Sequence, residues 1–341
     1  MSMEGSTGRV YVQTNEPQNL VVAFRQLADG SLEEIGRYAT GGKGDAVPHL
    51  TSQGSVVLSG DGNRLLVTNA GGYDLGVFDV TAEDLGLVQT VAVPAAPKSI
   101  AEHRGLVYVL GTAQPALAGF RMNDAGLEPI EGSDRMLPAE SSPAQIGFTP
   151  DGATLIVTQR GTDSIVAFPM NADGTLGDPT ESDSSGPTPY GFAFTSNGSL
   201  VVTEAFRAEK GAAAASSYLV RDGAVTPVTA SVGNSRSEIC WAVVTKDDRF
   251  AFTTNFADGA VSRYAIADDG TLTLEDAVAG TAVEGNTGLR DEDLTGDGGF
   301  LYAIDADAGQ IFGWRVGDAG SLTAAGSWGS LPATVAGLAA S

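Results

Sequence analysis

Glu204 closes the apolar run Leu200–Thr203 and opens the longest irregular stretch of the chain, Glu204–Ser216, with Arg207, Glu209 and Lys210 behind it. A carboxylate at the end of an apolar strand would be partly buried, and burial raises a carboxyl pKa towards the range useful for proton transfer. The plainer reading is a salt bridge to a loop arginine. His49 is one of two histidines and sits in the loop Gly41–Gln53 beside Lys43, Asp45, Ser52 and Gln53. An imidazole there is a candidate general base or a hydrogen-bond donor to substrate; otherwise it bonds loop backbone. Arg207 and Arg290 are the cations that would meet a developing oxyanion or a substrate carboxylate, and Arg160, on the same face as His49, is a further candidate for binding substrate. Solvation or ion pairing is the bland alternative for each. Tyr190 and Trp241 open strands and would wall a binding site, or else pack in the core. Asp293 ends the acidic loop Gly280–Asp293 and is read as the start of a strand facing a channel, or as a backbone cap. Arg236 and Glu238 reach the same region, and Cys240 has no histidine partner in the sequence and reads as a buried thiol.

These residues need a scaffold, and the sequence repeats. Ser55–Val93 holds four short runs of β-formers, Ser55–Ser59, Arg64–Asn69, Asp74–Val80 and Leu85–Val93, each bounded by Gly, Asp or Asn. The unit recurs at Ala144–Asp183, Tyr190–Ser231, Ile239–Val278 and Asp293–Trp328, with a weaker copy over Ser99–Met136. One series of turns runs Asp61-Gly62, Arg104-Gly105, Asp151-Gly152, Asn197-Gly198, Asp247-Asp248 and Asp297-Gly298. A second runs Asp29-Gly30, Asp124-Ala125-Gly126, Asp173-Gly174, Asp222-Gly223, Asp269-Gly270 and Asp318-Ala319-Gly320. Two interleaved turn series with a period of roughly 40–50 residues predict a β-propeller. Before the first complete unit lie three strands, and after the last lies one, Ala333–Ala340. The fold class is therefore all-β: a seven-bladed β-propeller with four antiparallel strands per blade, the first blade closed by the C-terminal strand. The whole chain, 1–341, is one domain. Its blades are expected near 9–40 with 333–340, then 54–93, 97–136, 144–183, 189–231, 239–278 and 290–328. The short Asp-Gly turns occupy one face. The longer loops that carry the candidate residues share the other, where function on a rigid scaffold is usually found.

Composition narrows the partners. A net charge of −23 disfavours nucleic acid and anionic membranes, although many of the acids are simply turn residues. One cysteine rules out an internal disulfide framework. The N-terminal MSMEGSTGRVYV lacks a basic region followed by an apolar one, so a cytoplasmic location is expected. No zinc spacing, EF-hand, Walker loop or Gly-x-Ser-x-Gly elbow occurs, so neither metal nor cofactor is called for. A monomer is expected, because a closed ring leaves no edge strand to pair.

The blade signatures Phe148-Thr149-Pro150-Asp151-Gly152 with Leu155-Ile156-Val157-Thr158, the run Leu65–Gly71, and the turns Asp173-Gly174-Thr175-Leu176 and Asp269-Gly270-Thr271-Leu272 give the chain a resemblance over almost its whole length. It resembles the seven-bladed propeller lactonases, which include cycloisomerase-type 6-phosphogluconolactonases and fungal carboxymuconate lactonising enzymes. In that family an Arg-His pair opens an inner strand and a Glu ends the next. Glu204 matches the Glu, in Thr203-Glu204-Ala205, while Thr188-Pro189-Tyr190-Gly191 stands where the Arg-His pair would be. The resemblance implies a lactone hydrolase or lactonising enzyme that needs no metal and works on a small molecule at the channel mouth. His49, Arg207 or Arg290 would then substitute for the missing pair. Two alternatives stay open: a non-catalytic propeller that binds a small molecule or protein, and a natural-product cyclase or isomerase on the same scaffold.

Overall fold

The computed structural model describes residues 6–48, 50, 53–81, 84–112 and 114–341. These form seven antiparallel sheets arranged as blades. Blade 1 runs Ala336–Ala340, Ser6–Gln13, Leu20–Leu27 and Leu32–Ala39 from the axis outwards. The C-terminal strand is thus its innermost member, antiparallel to Ser6–Gln13, with Tyr11 opposite Ala339. It begins three residues later than the sequence suggests, because Pro332–Val335 is a turn, closed by the Val335 N–H on the Pro332 carbonyl.

The second strands show why the chain folds this way. Leu65 and Val67 face blade 1 while Leu66 faces blade 3, so alternate side chains of one strand feed two different interfaces. Strands buried on both faces read as continuous apolar runs rather than as alternating ones. There is accordingly one apolar cluster for each of the seven blade–blade interfaces, including that between blades 7 and 1. On the Asp-Gly face the interfaces are also stapled by polar groups. The hydroxyl of Tyr108 donates to the Gly174 carbonyl and that of Tyr302 to the Gly30 carbonyl, each at 2.8 Å, and Arg249 reaches the Asp318 carbonyl at 2.6 Å.

Blade 3 departs from the regular plan. Its outer edge is broken into Gly126–Pro129 and Arg135–Met136. Between them the Ser133 hydroxyl accepts the Gly119 N–H at 3.0 Å and donates to the Gly119 carbonyl at 3.2 Å. A side chain does there what a fourth strand's backbone does elsewhere.

On the loop-rich face a second regularity emerges. The second strands of the seven blades end at Gln13, Asn69, Gly111, Gln159, Glu204, Asn255 and Asp305, all of them buried. Six of the seven are polar, and they bond the loops above them. Asn69, for example, accepts from Asn19 at 2.8 Å and from Thr40 at 2.6 Å.

Candidate active site

The inner strands of blades 4 to 7 are Pro143–Phe148, Pro189–Phe194, Ile239–Val244 and Leu289–Leu294. The residue before each has a left-handed backbone: Ser142 at φ 46°, Thr188 at 60°, Glu238 at 53° and Gly288 at 110°. The carbonyl of each accepts the N–H of the residue just past its blade's second strand, namely Arg160, Ala205, Phe256 and Ala306. A non-glycine residue in this region is held there by its surroundings. The register then slips in each inner strand within its first few residues. Bulges of this kind re-aim side chains. The second strand positions carry Ala144, Tyr190, Cys240 and Arg290, and they converge at the channel mouth.

The result is a pocket of about 320 Å³, lined among others by Arg160, Tyr190, Arg207, Glu238, Trp241 and Arg290. Its walls are an eighth apolar cluster, separate from the seven interfaces: Ala144, Tyr190, Ala205, Cys240 and Trp241, with Phe256 against them. Tyr190 and Trp241 meet edge to face, with ring centres 5.6 Å apart. Each ring carries a guanidinium on its face, Arg160 at 5.0 Å from the Tyr190 centre and Arg290 at 5.4 Å from that of Trp241. Contacts of this geometry are cation–π interactions.

Arg290 is 1 % exposed. It donates to the Leu50 carbonyl at 2.7 Å and to the Val335 carbonyl at 3.4 Å. Burial pulls its pKa down and the neighbouring Asp291 opposes this; a guanidinium starts high enough to remain charged. Arg207 lies in a turn whose residues Phe206, Arg207 and Ala208 are all left-handed, and it pairs with Asp163 across the rim. Glu238 is half-buried, and burial followed by the nearby Asp258 pushes its carboxyl above the ordinary range. Among the described residues its carboxylate makes neither a hydrogen bond nor an ion pair. Cys240 and Tyr190 are held protonated by burial, so neither serves as a nucleophile or base near neutrality. Among the described residues no group of three or more His, Cys, Asp or Glu side chains is placed to hold a metal ion. No helix among them is long and apolar enough to cross a membrane.

The structure therefore brings together five of the eight residues singled out from the sequence: Arg160, Tyr190, Arg207, Trp241 and Arg290. Two lie elsewhere. Glu204 does not line the pocket. It is fully buried, and its carboxylate accepts from the Gly186 N–H at 2.8 Å, the Ser216 hydroxyl at 2.5 Å and the Ser231 hydroxyl at 2.7 Å. Burial still raises its pKa, with these bonds opposing. Asp293 is next to last in its strand, not at its start, and accepts the Ala340 N–H at 2.9 Å, tying blade 7 to the closing strand. His49 lies outside the described residues. Glu238 and Phe256 also line the pocket. Glu238 was visible in the sequence only as a residue brought to this mouth.

The sequence matches the family model of the lactonase, 7-bladed beta-propeller, over residues 101–207 and 202–335. The chain belongs to this family of propeller lactonases and is an enzyme of lactonase type. Among solved structures it resembles a candidate 6-phosphogluconolactonase from Bacteroides fragilis, at 17 % identity and a TM-score of 0.73, with 100 % of this chain and 99 % of that one covered. It is also similar to a protein from Lactobacillus plantarum (16 % identity, TM-score 0.77, 98 % of this chain and 99 % of that one covered). It also resembles the periplasmic gluconolactonase PpgL of Pseudomonas aeruginosa (15 %, 0.72, 98 % of each). At these identities the likeness is one of fold. Among curated proteins none matches the sequence.

Proposed function

We propose that the pocket at the mouth of blades 4 to 7 is the catalytic site, and that it hydrolyses a small lactone carrying a negative charge. One observation supports this above the others. In a chain with 42 acidic and 19 basic residues, three guanidiniums and one unpaired carboxylate line a single aromatic-walled pocket. Glu238 takes a proton from water as the water oxygen bonds to the lactone carbonyl carbon. The carbonyl becomes an oxyanion, which Arg290 and Arg160 are placed to stabilise. The ring C–O bond then breaks, and Glu238 returns its proton to the leaving alkoxide. The product is a hydroxy acid, whose ionisation releases the proton that an assay reads. Arg207, at the rim, meets the substrate's own anionic group by exchanging it for Asp163.

The chemistry uses side chains alone, so a chelator is expected to leave the rate unchanged. The test is proton release from matched pairs of neutral and anionic lactones. Faster turnover of the anionic member, with the advantage lost in Arg207→Glu, supports the reading. No turnover of any lactone would sink it.

A further inference from the structure

Behind the pocket lies a carboxylate that the hydrolysis above does not use. Asp291 is the bulged residue between Arg290 and Glu292, since Arg290 faces Ile304 and Glu292 faces Ala303 across the ladder. It is 2 % exposed. Its side chain accepts the Gly337 N–H at 2.9 Å, from the C-terminal strand that closes the ring. It also accepts the Gly54 N–H and the indole N–H of Trp241, and lies beside the Arg290 guanidinium. One carboxylate thus holds the ring closure, the segment leading into blade 2, and both partners of the Arg290–Trp241 stack that forms one wall of the pocket.

We propose that Asp291 is a positioning residue: in its ionised form it holds the Trp241 indole and the Arg290 guanidinium where an anionic lactone meets them, and protonation releases them. The proposal rests on the pocket being the substrate site. What sets Asp291 apart from the groups around it is its contact with both Trp241 and Arg290. On its own strand, Arg290 is a fixed cation and Glu292 is pushed well above the ordinary range by burial; Asp293 is also lifted to about 6 by burial, but it bonds Ala340 rather than Trp241. From blades 5 and 6, Tyr190 and Cys240 are held neutral by burial. The closing strand Ala336–Ala340 carries no charge. Asp307 acts on Arg290 from the loop of blade 7. Burial lifts Asp291 itself to about 6, against the pull of Arg290 and its three donors. Site affinity is therefore present above that pH and lost as pH falls through it.

The experiment follows the indole N–H signals of ¹⁵N-labelled protein between about pH 5 and 8, with Trp241 assigned through Trp241→Phe. The Trp241 signal is expected to shift with a midpoint of about 6. The shift is expected to persist in Asp293→Asn and to vanish in Asp291→Asn. In parallel, KM for an anionic lactone should rise about tenfold below the midpoint, with kcat changed less. A Trp241 signal that ignores pH in the parent protein overturns the proposal, and this arm needs no Asp291 variant to fold. So does a titration that survives in Asp291→Asn, or one that disappears in Asp293→Asn. If Trp241 titrates as expected but no lactone is turned over, the positioning geometry stands and the lactonase reading of the pocket falls.

Discussion

The Glu204 carboxylate accepts three hydrogen bonds: from the Gly186 N–H in the connection entering blade 5 and from two serine hydroxyls on different strands of that blade. It occupies the position that Asn69, Gln159, Asn255 and Asp305 hold in other blades. Its burial raises the pKa as a catalytic acid's would be raised, but its bonds are those of a structural brace. Glu204→Ala leaves those donors unpaired and should cost about 1–3 kcal/mol of stability, measured by denaturant unfolding. Ligand affinity at the mouth should change little in the variant that remains folded. A sequence cannot separate this carboxylate from Glu238, because the difference lies in partners drawn from distant parts of the chain. Glu238 has a left-handed backbone and shares its pocket with Arg160 of blade 4, Tyr190 of blade 5 and Arg290 of blade 7. Nothing in Ser237-Glu238-Ile239 announces either. The arginines were easier to see: the sequence put Arg160, Arg207 and Arg290 in or beside loops of one face, and the structure brings the three to one pocket.

At the scale of strands and turns, the Asp-Gly pattern was almost sufficient. In the first turn series Thr149, Thr245 and Thr295 each donate at 2.6 Å to the aspartate two residues on, and the glycine after it takes a positive φ in the turns at Gly152 and Gly298. Those local rules carry the period, and the period carries the blade count. Where a side chain replaces backbone pairing, as Ser133 does in blade 3, no local rule exists and the break went unread. The closing strand is the element that links fold to site. Its flank supplies the Val335 carbonyl to Arg290, and its Gly337 N–H binds Asp291. Removing residues 333–341 should therefore do more than expose the edge of blade 1. It should lower the melting temperature and abolish lactone binding, and adding the segment back as a peptide should restore part of both. A truncated chain that melts like the parent would show that closure is not structural.

The whole molecule should respond to pH in two opposite ways. Burial lifts Asp291 and Asp293 to about 6 and Glu292 well above the ordinary range. A carboxyl whose native value exceeds its unfolded value of about 4 stabilises the fold while protonated, and that contribution is lost as pH rises through the native value. The turn aspartates Asp61, Asp151, Asp247 and Asp297 are held below the ordinary range by threonine or serine hydroxyls and backbone N–H groups. Their contribution is present above about pH 4 and lost below it. Relief of the −23 net charge acts in the same direction as the buried group on mild acidification. The melting temperature should accordingly be higher near pH 5 than near pH 8 and should fall again below about pH 3.5; a steady decline from pH 8 downwards would contradict this. The molecule then uses its acids in two ways, as hydrogen-bonded braces of turns and loops, Glu204 among them, and as an unpaired carboxylate, Glu238, at a charged, partly desolvated mouth. The most direct test of that division is the rate of proton release from an anionic lactone by the parent protein, Glu238→Gln and Glu204→Gln, each checked for folding. Turnover that falls by about 100-fold or more in Glu238→Gln and survives in Glu204→Gln is the predicted result. Full activity in Glu238→Gln, with loss in a folded Glu204→Gln, would contradict the assignment and return catalysis to the buried carboxylate.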